Sequence, residues 1–252
     1  MPGPVRRPMA VTAREPSVDR MTTKVAIVTG ASRGLGSALA TGLAARGWRL
    51  VIDGRDPAAL AQARVDLPGE VAAVAGDITD PGHRAELIGV AAELGPLGLL
   101  VHNAGVLGPS PLPRMTEFPL AALRDLIEVT LVAPLALTQL ALPFLRHTRG
   151  TLVAITSDAA VEAYPGWGGY GAAKAALDQA MRVVAAEEPT VRVWSVDPGD
   201  LRTRMHQEAF PGEDISDRPL PETVVPAFLH LLDQPPESGR IRLADVLVGA
   251  GT

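Results

Sequence analysis

Thr29-Gly30-Ala31-Ser32-Arg33-Gly34-Leu35-Gly36 is the stretch that decides the fold. It follows a β-branched apolar run, Lys24 to Thr29, and leads straight into an Ala/Leu-rich segment of helical period. Gly30 permits a tight turn, Gly34 lets a phosphate approach the backbone, and Gly36 lets helix and strand pack closely. A helix that starts here points unpaired N–H groups at an anion, with Ser32, Arg33 and Leu35 in the same turn. The spacing is G-x-x-x-G-x-G, not the commoner G-x-G-x-x-G fingerprint.

Outward from that turn, short apolar runs alternate with longer segments of helical period. Strands are predicted at Lys24 to Thr29, Arg49 to Asp53, Val71 to Ala75, Leu99 to His102, Gly150 to Thr156, Val191 to Val196 and Arg240 to Val246. Helices are predicted between them, at Leu35 to Arg46, Pro57 to Val65, Pro81 to Leu94, Leu120 to His147, Tyr170 to Glu188 and Pro221 to Leu232. This alternation predicts one α/β domain, a doubly wound seven-stranded parallel sheet with helices on both faces. Ligands in such sheets bind beyond the carboxyl ends of the strands, so the chemistry is expected just after each strand. Residues 1–22 read as a disordered tail and residues 23–252 as the dinucleotide-binding catalytic domain.

Composition removes whole classes of function. The chain of 252 residues has no Cys, which excludes thiolate chemistry, disulfides and Cys-ligated metals. Redox chemistry would then need an organic cofactor, and no metal set is predicted. A net charge of −5 argues against nucleic-acid binding. The longest apolar stretch, Val129 to Leu145, is interrupted by Thr130, Pro134 and Pro143 and falls short of the ~20 residues that span a bilayer. No membrane partner is therefore expected, and a cytoplasmic location is.

The strand ends carry the candidate ligands. Asp53 would accept ribose hydroxyls of NAD, whereas Arg55 would bind a 2′-phosphate; the two give opposite answers, and Arg33 is a second cation. Asp77 with Ile78 offers an acceptor and an apolar wall for adenine, or Asp77 caps the next helix. Asn103, the only Asn in the chain, can cross-link neighbouring strand ends, followed by Ala104 and Gly105. Tyr170 and Lys174, the latter one of only two Lys, stand i and i+4 on one helix face. A neighbouring ammonium favours the phenolate of Tyr170 and makes it a usable acid or base. Ser157 can donate a hydrogen bond to a carbonyl oxygen.

In this order the glycine turn, Asp77, Asn103-Ala104-Gly105, Ser157 with Tyr170 to Lys174, and Pro198-Gly199 with Thr203 resemble the short-chain dehydrogenase/reductase family over nearly all of Lys24 to Val246. The resemblance implies a Rossmann-type fold and an oxidoreductase, a carbonyl reductase or secondary alcohol dehydrogenase acting on a small carbonyl or alcohol. It implies that Tyr170 donates the proton in reduction, Ser157 orients the carbonyl, and Lys174 lowers the Tyr170 pKa and holds the nicotinamide ribose. Thr203 would bond the nicotinamide carboxamide. Aligned to the family, Gly54 occupies the position of the NAD-selecting Asp and Arg55 follows, so NADP(H) is expected over NAD(H). A homodimer or homotetramer is implied.

Two departures stand out. Thr130 occupies the place of a fourth catalytic residue, an Asn at a helix irregularity whose carbonyl holds a relay water in the family. Pro134, four residues on, has no N–H for the Thr130 carbonyl, which suggests that the backbone keeps the relay. Thr130 also motivates the alternative of a catalytically silent NADP-binding regulator. The segment from about 201 to 221 would close over the substrate, with His206 as a candidate contact and Trp167 and Tyr164 as an aromatic wall. The stretch Asp197 to Thr203 is similar to pterin-reducing members.

Overall fold

The structure, a computed structural model, describes residues 24–246. The tail expected at 1–22 lies outside them. The described residues form one parallel sheet of β1 (Val25–Val28), β2 (Arg49–Gly54), β3 (Val71–Ala75), β4 (Leu97–His102), β5 (Thr151–Ile155), β6 (Arg192–Asp197) and β7 (Gly239–Arg242), in the order β3-β2-β1-β4-β5-β6-β7. The order reverses between β1 and β4, which opens a crevice beyond their carboxyl ends.

Strand alternation sorts the core into two layers. Ala26 and Val28 pack with Leu39 and Leu43 of α1 (Gly34–Ala45), Leu60 of α2 (Pro57–Val65) and Phe228 of α8 (Val225–Asp233). Val25 and Ile27 face the other side, with Leu87 of α3 (Pro81–Leu94), Leu137 and Leu145 of α5 (Ala133–Thr148), and Leu177 and Met181 of α6 (Gly168–Glu187). Each such buried side chain contributes about 1.5–3 kcal/mol. Asp56 and Asp80 cap α2 and α3 by accepting from backbone N–H groups of the first turn, with Pro57 and Pro81 at the first helical position.

Several elements differ from the prediction. The long helix expected from Leu120 to His147 is split into α4 (Leu120–Ile127) and α5 by one π turn, Glu128–Val132. There the Ala133 N–H reaches back five residues to the Glu128 carbonyl, and Pro134 has no N–H to return to Thr130. By length and composition Leu120–Thr148 could cross a membrane. Within it Leu126, Ala133, Leu137, Ala141 and Leu145 are fully buried in the protein, whereas Leu120, Val132, Leu140 and Phe144 are exposed. The last strand stops at Arg242, because Leu243 turns into the short α9 (Leu243–Val246) and is buried. A helix not anticipated in sequence, α7 (Arg204–Ala209), follows β6.

Candidate active site

The crevice is a cleft of about 830 Å³ running from the glycine turn to Tyr170 and α7. Its floor is cross-linked by side chains that the sequence singled out. Asn103 Nδ2 donates to the carbonyls of Thr29 (2.9 Å) and Gly30 (3.0 Å), and Thr29 Oγ1 accepts from the N–H groups of Asn103 and Ala104, both at 3.0 Å. Gly30 and Gly34 adopt left-handed φ of 64° and 57°. A Cβ on Gly30 would lie 2.8 Å from Ala104 Cα, and one on Gly36 would collide with the Asn103 amide nitrogen and the Gly30 carbonyl. Gly36 therefore sits behind the cleft and shapes it, rather than lining it as a cofactor-binding residue. No side chain caps α1 and its first turn carries no acid, so its N–H groups stay available for an anion.

At the adenosine end, Asp53 and Arg55 do not compete. Asp53 is buried, accepting from the Gly30 N–H (2.5 Å) and from His83 Nε2 (3.2 Å). Arg55 lies past the end of β2 and is exposed at the cleft, near Arg33, whose only ion pair among the described residues is a loose 3.7 Å contact with Asp56. Asp77 does not cap α3. One of its oxygens closes a local turn with the N–H and hydroxyl of Thr79, which lowers its pKa, and the buried Ile78 beside it lines the cleft.

At the other end, Ser157, Tyr170 and Lys174 line one wall together. The Ser157 hydroxyl accepts from the Ala159 N–H and donates to Asp158 Oδ1 at 2.9 Å. Burial pushes the Tyr170 phenol far above its ordinary pKa, with Asp197 and Asp158 adding to the rise and Ser157 opposing it. The Lys174 Nζ donates to the Ile155 carbonyl (2.7 Å) and stands 5.6 Å from the Tyr170 ring centre. Burial lowers the Lys174 pKa to about 8. Thr130 does not line the cleft; Val129 does, while the Thr130 hydroxyl is buried without a hydrogen-bond partner among the described residues.

Pro198, Gly199 and Thr203 follow β6 along the cleft. Thr203 Oγ1 accepts from the His206 N–H and caps α7, which leaves its own hydroxyl hydrogen to donate. Trp167 and Phe210, with ring centres 6.1 Å apart, make the aromatic wall beside Tyr170. Tyr164 is not part of it; its hydroxyl donates to Asp158 from an exposed position. His206 packs 5.0 Å from the Phe210 ring and lines the cleft.

One residue that sequence reading missed braces the whole wall. Arg240, on β7, donates through Nη2 to Asp197 and to the Ser157 carbonyl, each at 2.9 Å, and through Nε to Asp178 at 3.3 Å. It ties together the ends of β5 and β6 and the helix that carries Tyr170 and Lys174. Its partners lie 43 to 83 residues away in sequence, and no local motif signals them.

Comparison with known proteins agrees with this geometry. Residues 24–214 match the family model for short chain dehydrogenases. Sepiapterin reductase of Rattus norvegicus is 35% identical over 206 residues, covering 75% of this chain and 79% of the relative. The alcohol dehydrogenase of Thermococcus sibiricus, solved with 5-hydroxy-NADP, superposes with a TM-score of 0.76 at 27% identity, over 87% of this chain and 95% of that one. A short chain dehydrogenase of Escherichia coli CFT073 solved with NADPH gives 0.79 at 28% identity, over 87% and 96%. The chain belongs to the short-chain dehydrogenase/reductase family of oxidoreductases.

Proposed function

We propose that the protein is an NADP(H)-dependent carbonyl reductase or secondary alcohol dehydrogenase of the cytoplasm. The observation that carries this reading is that Ser157, Tyr170 and Lys174 line the same cleft as the glycine turn and the uncapped start of α1. The residues fit a phosphorylated dinucleotide: Gly30 and Gly34 line the turn in left-handed conformations without side chains, and Arg33 and Arg55 line the cleft as cations that would hold a 2′-phosphate. Asp77 through its free oxygen and Ile78 through its apolar face suit adenine, Asn103, Ala104 and Gly105 form the floor, and the Thr203 hydroxyl suits a carboxamide. When bound, the cofactor supplies hydride in reduction and accepts it in oxidation.

The protein's own groups supply the proton. Tyr170, kept protonated by burial, gives its phenolic hydrogen to the developing alkoxide oxygen. Ser157 turns its hydroxyl hydrogen from Asp158 to that same oxygen and fixes its position. Lys174, with one donor on the Ile155 carbonyl and a pKa near 8, is largely charged at neutral pH and keeps further donors for the ribose and for proton return. The π turn at Thr130, with Pro134 withholding an N–H, suits a backbone carbonyl that holds a relay water.

NADPH absorbance followed against a panel of ketones, beginning with pterin-like ones given the likeness to sepiapterin reductase, tests the reading. NADPH binding without turnover on any of them, and no effect of Tyr170→Phe, would favour the silent regulator. We also propose a homodimer through α5 and α6. Val132, Leu140, Phe144 and Val183 are exposed there, beside a groove lined by Leu131, Leu135, Ala176 and Ala180. Sedimentation at a single-chain mass would contradict it.

A further inference from the structure

A buried pair beneath the adenosine end of the cleft has no part in the proton chemistry. Asp53 is 2% exposed and His83, on the first turn of α3, is 5% exposed. Asp53 shares the sheet face of Val51, two residues earlier, and so points toward α3. Each of its carboxylate oxygens has a donor: Oδ1 takes the Gly30 N–H at 2.5 Å, and Oδ2 takes His83 Nε2 at 3.2 Å. The His83 ring lies so close over Gly76, at the end of β3, that a Cβ there would overlap it. Its other nitrogen is buried without a partner, so Asp53 is the one hydrogen-bonding group the ring reaches among the described residues. His83 has a raised pKa, chiefly through that hydrogen bond, and Asp80 and Glu86 add to the negative field around it.

A carboxylate free at the end of β2 would bond ribose hydroxyls and repel a 2′-phosphate. Here Asp53 borders the cleft but both its oxygens are taken, by the Gly30 N–H and His83, while Arg33, Arg55 and Asp56 line the same end. We infer that His83 is a cofactor-specificity residue: by occupying the second oxygen of the Asp53 carboxylate beside the adenosine site, it keeps that group from a ribose hydroxyl and lets Arg33 and Arg55 select the 2′-phosphorylated dinucleotide. His83 acts through Asp53 and touches no substrate, so its role is one of positioning. The inference rests on the NADP(H) reading above.

Calorimetric titration of the intact protein with NADPH and with NADH tests it by binding alone. Wild type binds NADPH more tightly. His83→Leu releases Asp53 and lowers the ratio of the two affinities by roughly tenfold or more, the scale of one nearby like charge. His83→Gln, whose amide can still reach Asp53, keeps most of the ratio, and the double variant His83→Leu/Asp53→Asn restores it, because the released group is then neutral. Should His83→Leu fail to fold, His83→Asn, too short to reach, is expected to lower the ratio in its place. An unchanged ratio in a folded His83→Leu or His83→Asn variant overturns the inference and leaves the cofactor reading intact. A wild-type protein that binds neither dinucleotide overturns the cofactor reading itself.

Discussion

The partly buried Arg240 and the buried Asp197 form an ion pair at 2.9 Å, and the same guanidinium nitrogen holds the carbonyl of Ser157. Removing the cation leaves Asp197 and Asp178 buried without their partner. Breaking such a pair costs about 3–5 kcal/mol, so Arg240→Met is expected to lose that much stability in urea unfolding. A loss below about 1 kcal/mol would mean that the pair does not brace the wall.

Gly36 leaves room for the amide that stitches β1 to β4. Gly36→Ala pushes its methyl group into Asn103 and the Gly30 carbonyl. The expected cost is about 1–3 kcal/mol of stability, accompanied by weaker NADPH binding, since the turn must open to relieve the clash. Thermal melts and titrations on one sample check both; unimpaired binding would show that the turn does not shape the cofactor site.

Thr130→Asn restores the side chain that the family often carries. If the π-turn backbone holds the relay water, the substitution changes kcat by less than about tenfold, under 1.4 kcal/mol in barrier. Steady-state turnover decides, and a rise of orders of magnitude would show the relay to be broken in the natural protein.

Burial places the Lys174 pKa near 8, below its ordinary 10.5. Between these values the unfolded chain binds more protons than the folded one, so this residue's contribution to stability rises with pH there and is flat below. The stability difference between wild type and Lys174→Met should therefore climb from about pH 8 to about pH 10.5. A flat or falling difference across that window would place the Lys174 pKa elsewhere.

The parts of this molecule that local pattern governs were legible in the sequence. The glycine turn, the strand runs and the i, i+4 spacing of Tyr170 and Lys174 each declare themselves within a few residues, and the structure brings them to one cleft. What stayed hidden depends on distant partners. Nothing beside Asp53 says that His83 will claim it, and nothing beside Arg240 points to Asp197. Strand alternation alone would place Asp53 and Arg55 on one side, yet β2 ends at Gly54 and Arg55 leaves the strand before the rule applies. Periodicity ran the long apolar helix straight through Thr130, because a π turn adds a single residue and leaves the apolar pattern almost unchanged. Helix α7 is too short for its period to be read.

The proposed role of Tyr170 is to pass a proton to a carbonyl in a cleft that binds NADPH. NADPH consumption with a ketone substrate, compared between wild type and Tyr170→Phe, measures it, with NADPH binding titrated on both proteins. The expected result is a loss of roughly 10²–10⁴-fold in kcat with cofactor affinity preserved. Equal rates in the two proteins, with NADPH bound by both, would contradict it.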